Sequence, residues 1–325
     1  MTVSQKSAAI VPQRPTTARD GAGFPWILQD VQICSDLLTI VANFGYMVGI
    51  GAPGSQHTAV SSCTPGAWRG PHDYNACPFV RDTGMAEDRI FASEDAGSEP
   101  FEFNEAVAEV FPDMLKRSIP GYAASILTIG SLARRYVRPE THCFDLGCSL
   151  GAATIAMRHN IPGPGCRIQA IDSSPAMIRR CRKIIAADDA SVPVDVIAGD
   201  VREADIENAS MVVMNYTLQF LPVADRDDMI TRVCEGMNAG GIFVLSEKIV
   251  DDNRVIENLL VDLHREQKRR NAYSDSEISR KREAIENVLM PESLVAHEAR
   301  LASAGFNHIS VWLRYFNFIS MVAIK

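Results

Sequence analysis

Apolar and polar positions follow two different periods along this chain, and segments of the two kinds succeed one another in turn. Short runs rich in apolar and β-branched residues predict five strands, near 141–146, 167–172, 194–198, 209–215 and 241–248. Positions repeating at helical spacing predict helices between them, near 150–159, 175–187 and 225–238. Strands that alternate with helices pair into a parallel sheet covered on both faces. The pattern therefore predicts an α/β fold with a doubly wound, mostly parallel sheet.

The last part of the chain departs from this alternation. Two β-rich runs, 308–316 and 318–324, almost abut and predict an antiparallel hairpin that completes a sheet of seven strands. A helical insertion of about residues 252–304 lies between Lys248 and this hairpin. A capping box beginning at Ser274 supports its predicted helices, which lie near 254–270, 276–288 and 293–303. We expect the insertion to form a lid.

One segment carries most of the candidate chemistry. The run FDLGCSLGAAT, from Phe144 to Thr154, ends a predicted strand in an acidic, glycine-punctuated turn that opens a helix. Gly147 and Gly151 allow backbone to approach a ligand where a side chain would collide, and open α/β sheets bind ligands at this end of their strands. The run has neither the Gly-x-Gly-x-x-Gly of a dinucleotide fold nor the Lys-Ser/Thr of a P-loop. An ordinary strand-to-helix turn is the alternative interpretation.

The string Asp-x-Gly-x-Ser-x-Gly in this run resembles the first motif of class I S-adenosylmethionine (SAM) enzymes, in which an acidic residue and bare backbone amides hold the amino-acid end of the ligand. Asp172 ends the second predicted strand, where its carboxylate can accept both ribose hydroxyls. Asp200 ends the third, placed to accept the amino group of adenine while Val201 covers the ring. Each acid alone could be a simple cap, but three strand-tip acids in order favour an adenosyl ligand.

Composition narrows the class of protein further. The 325 residues are 46% hydrophobic, enough for the core of one main domain. A net charge of −8 and a pI near 5.4 argue against a large nucleic-acid footprint and favour a small substrate. The one basic cluster, from Arg265 to Arg270, is interpreted as a solvated helix face because acids flank it.

The eight cysteines show no Cys-x-x-Cys pairing and no histidines at metal-ligand intervals. This predicts reduced thiols, a cytoplasmic location and no metal site. Cys148, inside the glycine run, is expected to pack as a small apolar residue while its backbone binds the ligand.

The first 84 residues differ from the rest, being rich in Gly, Pro, Ser and Thr. Their apolar stretch 37–50 is too short for a membrane span and contains Asn43. We predict that residues 1–84 form a disordered N-terminal extension, that the natural protein starts at Met85, and that 85–325 is the SAM-binding domain.

Seven motifs together resemble the carboxy-S-adenosyl-L-methionine synthase family over about residues 85–325. They are Phe111-Pro-Asp-Met, Ser118-Ile-Pro-Gly-Tyr, the glycine run, Ile171-Asp-Ser-Ser-Pro-Ala-Met-Ile, Thr217-Leu-Gln-Phe, Leu245-Ser-Glu-Lys and Glu286-Asn-Val. The resemblance implies a class I SAM-methyltransferase-like fold and a transferase that converts SAM and prephenate into carboxy-SAM and phenylpyruvate. Carboxy-SAM then supplies the carboxymethyl donor for tRNA wobble uridine modification. The resemblance also implies a homodimer. The acidic net charge predicts no direct contact to nucleic acid, and the short apolar stretch 37–50 predicts none to a membrane.

The resemblance further implies ten ligand positions, which are Tyr122, Gly147, Cys148, Ser149, Asp172, Ser173, Asp200, Val201, Asn215 and Arg282. Ser173 departs from the family pattern, which often has Asn there, although a hydroxyl can still donate one hydrogen bond. Arg282, the one predicted catalytic residue, would hold the new carboxylate with its two-pronged guanidinium and reach the pocket of the neighbouring subunit. From spacing alone it would be a surface helix arginine.

No residue is predicted as the general base, because in the family's proposed mechanism the loss of carbon dioxide and hydroxide from prephenate yields the base itself. Lys248, His264 and Arg202 are cationic candidates for the carboxylates of prephenate, and each is interpreted as structural. Two rival functions stay open at this stage. One is an ordinary SAM-dependent methyltransferase acting on a small molecule, and the other is a non-catalytic SAM-fold module that binds a partner.

Overall fold

The strands lie where the two-residue period predicts them. A computed structural model describes residues 86–93, 101–286 and 288–325. Its strands are β1 (His142–Leu146), β2 (Arg167–Asp172), β3 (Val194–Ala198), β4 (Ala209–Asn215), β5 (Met237–Val250), β6 (Glu292–Ser293), β7 (His308–Tyr315) and β8 (Phe318–Ile324). They form one sheet in the order β3-β2-β1-β4-β5-β8-β7, and the two-residue β6 pairs with the end of β5. The predicted seven-stranded sheet is confirmed, with β6 as a short addition.

The sheet is parallel from β3 to β5 and ends in the predicted antiparallel hairpin, because β8 runs antiparallel to both β5 and β7. From β1 the chain moves outward to β2 and β3, then crosses to β4 on the other side of β1. A reversal of strand order opens a crevice at the carboxyl ends of the strands. In the register of the sheet, Leu146 pairs with Ile171, and Asn215 pairs with Ser246. Their strand ends therefore meet at one edge.

The helices that the structure describes are α1 (Glu105–Ser118), α2 (Tyr122–Tyr136), α3 (Ala152–Arg158), α4 (Pro175–Ala187), α5 (Arg226–Gly236), α6 (Arg254–Arg270), α7 (Asp275–Ile285) and α8 (Leu294–Ser303). Local sequence sets their starts. Ser174 caps α4 by accepting the amide of Met177, with Pro175 in the first turn. Ser274 forms the predicted capping box with Glu277. In the part of the chain that the structure describes, no helix has the length and apolarity needed to cross a membrane.

Several boundaries differ from the predictions. The sequence analysis missed α1 and α2, which precede the first strand. Strand β5 begins at Met237 rather than 241, because its first residue pairs with Ala209 before a register shift. Helix α7 ends at Ile285 rather than 288, and Met290 beyond it donates its amide to the carbonyl of Gln219 (2.9 Å). The predicted extension 1–84 lies outside the described residues.

Apolar side chains fill both faces of the sheet. On one face the strands pack against α5 and α8, where the rings of Phe243 and Phe306 stack with centroids 5.7 Å apart. On the other face Ile129 and Met157, both fully buried, bring α2 and α3 onto the sheet. Burial of this apolar surface is the main stabilising contribution, and it holds the strand ends as a rigid frame for the site.

Two buried polar residues fasten the helical insertion. Asp88, in the segment before α1, is 1% exposed and accepts hydrogen bonds from the Tyr273 hydroxyl and from Lys281 Nζ (3.2 Å). Arg226 is fully buried, pairs with Glu292 (2.5 Å) and donates to the carbonyls of Gln219, Leu221 and Met290. The first contact fixes the insertion to the N-terminal side of the domain. The second fixes the chain after α7 to the tip of β4.

Candidate active site at the sheet edge

The loop between β1 and α3 is held in one conformation by hydrogen bonds of its own. Gly147 and Gly151 have φ of 84° and 85°, and Ser149 has φ of 46°. The amides of Gly147 and Cys148 both donate to the carbonyl of Ile171 (2.8 and 3.0 Å). The amides of Ser149, Leu150 and Gly151 also have acceptors within the protein. The five amides therefore have acceptors within the protein, and the binding of a ligand by this loop stays a prediction.

Gly147 is required by a neighbour as well as by its own backbone. A Cβ at this position would lie 2.2 Å from Oγ1 of Thr217, on the segment that follows β4. The sequence analysis assigned this glycine to close approach of a ligand. The structure shows that the first group to approach is Thr217, which brings the tips of β1 and β4 together.

Asp145 supports the loop from below. Its side chain is 1% exposed and accepts a hydrogen bond from Oγ1 of Thr154 (2.5 Å). Burial raises the pKa of Asp145 to about 6, and the bond from Thr154 opposes that shift. This carboxyl connects β1 to α3 and is not exposed to a ligand.

The acid at the tip of β2 is oriented by backbone amides. Asp172 accepts from the amide of Ser149 (2.9 Å) and from that of Ser174 (2.8 Å). Burial raises the pKa of Asp172, and these two bonds lower it. Ser173 beside it is exposed, so its hydroxyl is open at the strand edge. The arrangement supports the predicted ribose contacts, since a carboxylate oxygen can accept more than one hydrogen bond.

At the tip of β3, Asp200 is held by Arg202, which donates to both carboxylate oxygens (3.1 Å to Oδ1 and 2.6 Å to Oδ2) and also pairs with Asp225. The Arg202 hydrogen bond lowers the pKa of Asp200. Val201 is buried in the core, which fixes the backbone of this tip beside Asp172. Arg202, one of the candidates for substrate carboxylates, is thus committed to two acids, and its interpretation as structural is confirmed.

The tip of β4 contains polar atoms that lack protein partners. Asn215 Oδ1 and the hydroxyl of Tyr216 are both buried, and neither has a hydrogen-bond partner among the described residues. Native proteins rarely leave buried polar groups unpaired, so a polar ligand at this edge is the physical expectation. The residues present therefore fit an adenosyl ligand placed across the tips of β1, β2, β3 and β4.

A cavity lies over the glycine loop. It is lined by Tyr122 at the start of α2, by Ser149 and Leu150 of the loop, and by Gln267 of α6. Cys148 faces away from it, buried with Cys181 and Ile178, as its expected role as a small packing residue requires. The insertion thus contributes a wall to the site, as the predicted lid would.

Cationic side chains of β5 and of the insertion act on one another. Lys248 lies near the end of β5, and Lys268 lies one turn after His264 on α6. Burial, together with the charges of Lys281 and Lys248, lowers the pKa of Lys268 to about 7. Burial also lowers the pKa of His264 to about 3, and its Nε2 lies 2.8 Å from the carbonyl oxygen of Ser118. His264 is therefore neutral and structural.

Arg282, the predicted catalytic residue, is exposed on α7 in the single subunit. Its charge contributes to the lowered pKa values of Lys248 and Lys268, which places it on the same side of the insertion. Lys268 was missed, because the cluster from Arg265 to Arg270 was interpreted as a solvated face. The spacing of His264 and Lys268, four residues apart and hence on one helix face, was the available signal.

Comparisons with known proteins agree with this geometry. The family described as "Methyltransferase domain" matches residues 144–241. A carboxy-S-adenosyl-L-methionine synthase of Klebsiella pneumoniae (strain 342) is 51% identical over 238 residues, 73% of this chain and 96% of that protein. The protein of that name from Shewanella baltica (strain OS223) is 49% identical over 241 residues, 74% and 99% of the two chains. An O-methyltransferase family protein structure from Burkholderia thailandensis has a TM-score of 0.51 at 15% identity, covering 68% of this chain and 58% of that chain, and shows the fold alone.

The parallel sheet, its antiparallel last pair and the glycine loop at the strand edge define a class I SAM-dependent methyltransferase-like enzyme. Within that class, the chain belongs to the carboxy-S-adenosyl-L-methionine synthase family, since relatives at about half identity align over nearly their whole length. SAM is accordingly a substrate and carboxy-SAM the product.

Proposed function

We propose that prephenate is the second substrate, so that the enzyme converts SAM and prephenate into carboxy-SAM and phenylpyruvate. The product would then serve as the carboxymethyl donor for modification of tRNA wobble uridine. One observation carries this proposal. Among the described residues no ion pair joins an acid to Lys248, Lys268 or Arg282, and the charges of Lys248 and Arg282 both act on Lys268. A site that handles several carboxylates needs such cations, whereas transfer of a methyl group does not.

The chemistry requires that charge. Decarboxylation of prephenate, with expulsion of hydroxide from its ring, gives phenylpyruvate, carbon dioxide and a base. That hydroxide takes a proton from the sulfonium methyl group and becomes water, and the resulting carbanion bonds to the carbon dioxide. The new carboxylate beside sulfur needs a fixed cation, and the guanidinium of Arg282 stays charged at any working pH. Asp172, Ser173, Asp200 and Val201 would bind the adenosine, and the remaining predicted ligand positions the amino-acid end.

A homodimer is part of the proposal. Helix α6 has a single buried residue, His264, and its apolar side chains Val255 and Leu259 are 76% and 52% exposed. Such an apolar strip on a charged surface suits pairing with a second copy, which would bring Arg282 of one subunit to the cavity of the other. The acidic net charge supports the absence of direct nucleic-acid contact, and the free thiols of the five cysteines that the structure describes support a cytoplasmic location.

Incubation of the purified protein with SAM and prephenate tests the proposal. We expect phenylpyruvate and carboxy-SAM in equal amounts, detected by mass spectrometry of the nucleoside fraction. Formation of S-adenosylhomocysteine with a methylated product would favour the ordinary methyltransferase. Absence of turnover together with SAM binding would favour the non-catalytic module. In parallel, sedimentation should give the mass of two chains, and a monomer that is fully active would contradict the shared site.

A further inference from the structure

Lys248 and Lys268 are placed on two different elements that converge above one aromatic ring. Lys248 on β5 is the cross-strand partner of Phe318 on β8. The ring of His264 meets Phe318 edge-on, with centroids 4.8 Å apart. Lys268 follows His264 by one turn of α6 and therefore projects from the same helix face. The charge of Lys248 contributes to the lowered pKa of Lys268, so the two side chains lie near one another between β5 and the insertion.

Two contacts connect this location to the glycine-loop cavity and to the tip of β4. Gln267, which precedes Lys268 on α6, lines the cavity together with Tyr122 and Ser149. Tyr216 at the tip of β4 packs edge-on against Phe318, with centroids 6.1 Å apart. The segments that carry the two lysines therefore adjoin the cavity and the tip of β4.

Among the described residues no ion pair joins a carboxylate to either lysine. The charge of Glu257 acts on Lys248, and Glu257 Oε2 accepts the amide of Asp251 (2.9 Å). Asp88 is bonded to Lys281 and to the Tyr273 hydroxyl. Burial lowers the pKa of both lysines, and buried ammonium groups without a bonded acceptor are costly to keep unless they bind an anion.

We infer that Lys248 and Lys268 together bind a carboxylate of the carbon dioxide donor, and that this carboxylate is the one that survives in the product. The inference rests on the proposed function for the identity of the donor. Prephenate has a ring carboxylate and a side-chain carboxylate, and the ring carboxylate leaves as carbon dioxide. A pair of cations on the leaving carboxylate would stabilise the ground state and oppose its loss. The lysines are therefore assigned to the side-chain 2-oxo acid, which phenylpyruvate retains.

The charged groups around Lys268 determine whether affinity for a carboxylate ligand rises or falls with pH. They are His264 and Arg265 on its own helix, Lys248 on β5, and Lys281 and Arg282 on α7. All but the neutral His264 are cationic, and burial with these charges holds the pKa of Lys268 near 7. A bound carboxylate raises that pKa, so binding takes up a proton above pH 7. Affinity should then fall as pH rises from 7 to 9.

The test is titration calorimetry of prephenate and of phenylpyruvate into protein saturated with S-adenosylhomocysteine. Lys248→Gln and Lys268→Gln should each lower the affinity for both ligands by roughly ten- to a hundredfold, because each removes one charge-assisted hydrogen bond. Lys183→Gln is the same exchange at an exposed site on α4, and it should change the affinity for neither ligand. The fall in affinity above pH 7 should flatten in Lys268→Gln.

Unchanged affinities in both lysine variants would overturn the inference. If the variants bound prephenate more weakly but phenylpyruvate with unchanged affinity, the assignment to the surviving carboxylate would be overturned. Removing an unpaired ammonium should leave the unfolding temperature unchanged or raised, so a lowered temperature with weaker S-adenosylhomocysteine binding would mean a structural role instead. Carboxy-SAM formation by the wild type is measured separately. If it fails while the lysine-dependent binding persists, the proposed reaction falls and the anion site stands.

Discussion

Replacing Gly147 by alanine would test the joint between the tips of β1 and β4. The new methyl carbon would lie 2.2 Å from Oγ1 and 2.4 Å from Cγ2 of Thr217, so one of the two strands must move. The backbone there has φ of 84°, a region that an L-residue adopts at a cost of about 1–2 kcal/mol. Overpacking in a rigid frame adds about 1–3 kcal/mol. Their sum, about 2–5 kcal/mol, is a large part of the roughly 5–15 kcal/mol that stabilises a domain.

Urea denaturation followed by circular dichroism measures this loss as a shift in midpoint. Gly199→Ala is the matched control, because Gly199 closes the neighbouring strand tip and an added Cβ meets nothing within 4 Å. The control should change the free energy of unfolding by less than about 0.5 kcal/mol. Thr217→Gly in the Gly147→Ala background should recover the overpacking part of the loss and leave the backbone part. A stable Gly147→Ala variant with normal SAM affinity would refute the reasoning.

Three further outcomes are expected. Arg282→Leu should keep SAM affinity and weaken carboxy-SAM by roughly ten- to a hundredfold in calorimetry, since one charge-assisted contact is lost; equal losses for both ligands would mean that Arg282 only supports the fold. Arg226→Met should cost about 3–5 kcal/mol in chemical denaturation, because it removes a fully buried cation from Glu292, which keeps only Arg300, and leaves three carbonyls without that donor, whereas Arg167→Gln in the exposed pair with Asp195 should cost under about 1 kcal/mol. Burial lowers the pKa of His297 to about 4, below its unfolded value of about 6.5, so its contribution is present above pH 6.5 and lost as pH falls to 4. The His297→Gln variant should lack about 3 kcal/mol of that acid-induced loss in thermal unfolding, and parallel pH profiles would contradict the assignment.

The sheet could be read from the sequence because its strands are short, apolar and regularly interrupted. Strands β2, β3 and β4 have the predicted bounds, as does α4 with its Ser174 cap and Pro175. Helices α1 and α2 have the same helical periodicity, but they lie before the alternating strands and helices on which the fold prediction was based. The ligand-binding edge was also predictable, because the order of strand ends follows from parallel topology.

The contacts that define the site were harder to predict from the sequence. The proximity of Thr217 to Gly147 spans 70 positions and depends on which strands are neighbours. Amides of the glycine loop donate hydrogen bonds to Ile171 and Asp172. No local sequence pattern predicts these bonds. A lysine on a charged helix looks solvated until the helix is seen to lie against a sheet tip. Such features arise from tertiary packing, which overrides the local preference of each residue.

Asp88 lies ahead of the first helix, in a stretch with no regular secondary structure of its own, yet it supplies the counter-ion for Lys281. A shortened protein beginning at Phe101 would retain every strand and helix given above and still lose that counter-ion, stranding an ammonium and a phenol in apolar surroundings. Trimming this enzyme for crystallisation on the basis of its regular elements alone would therefore loosen the insertion that lines one side of the glycine-loop cavity.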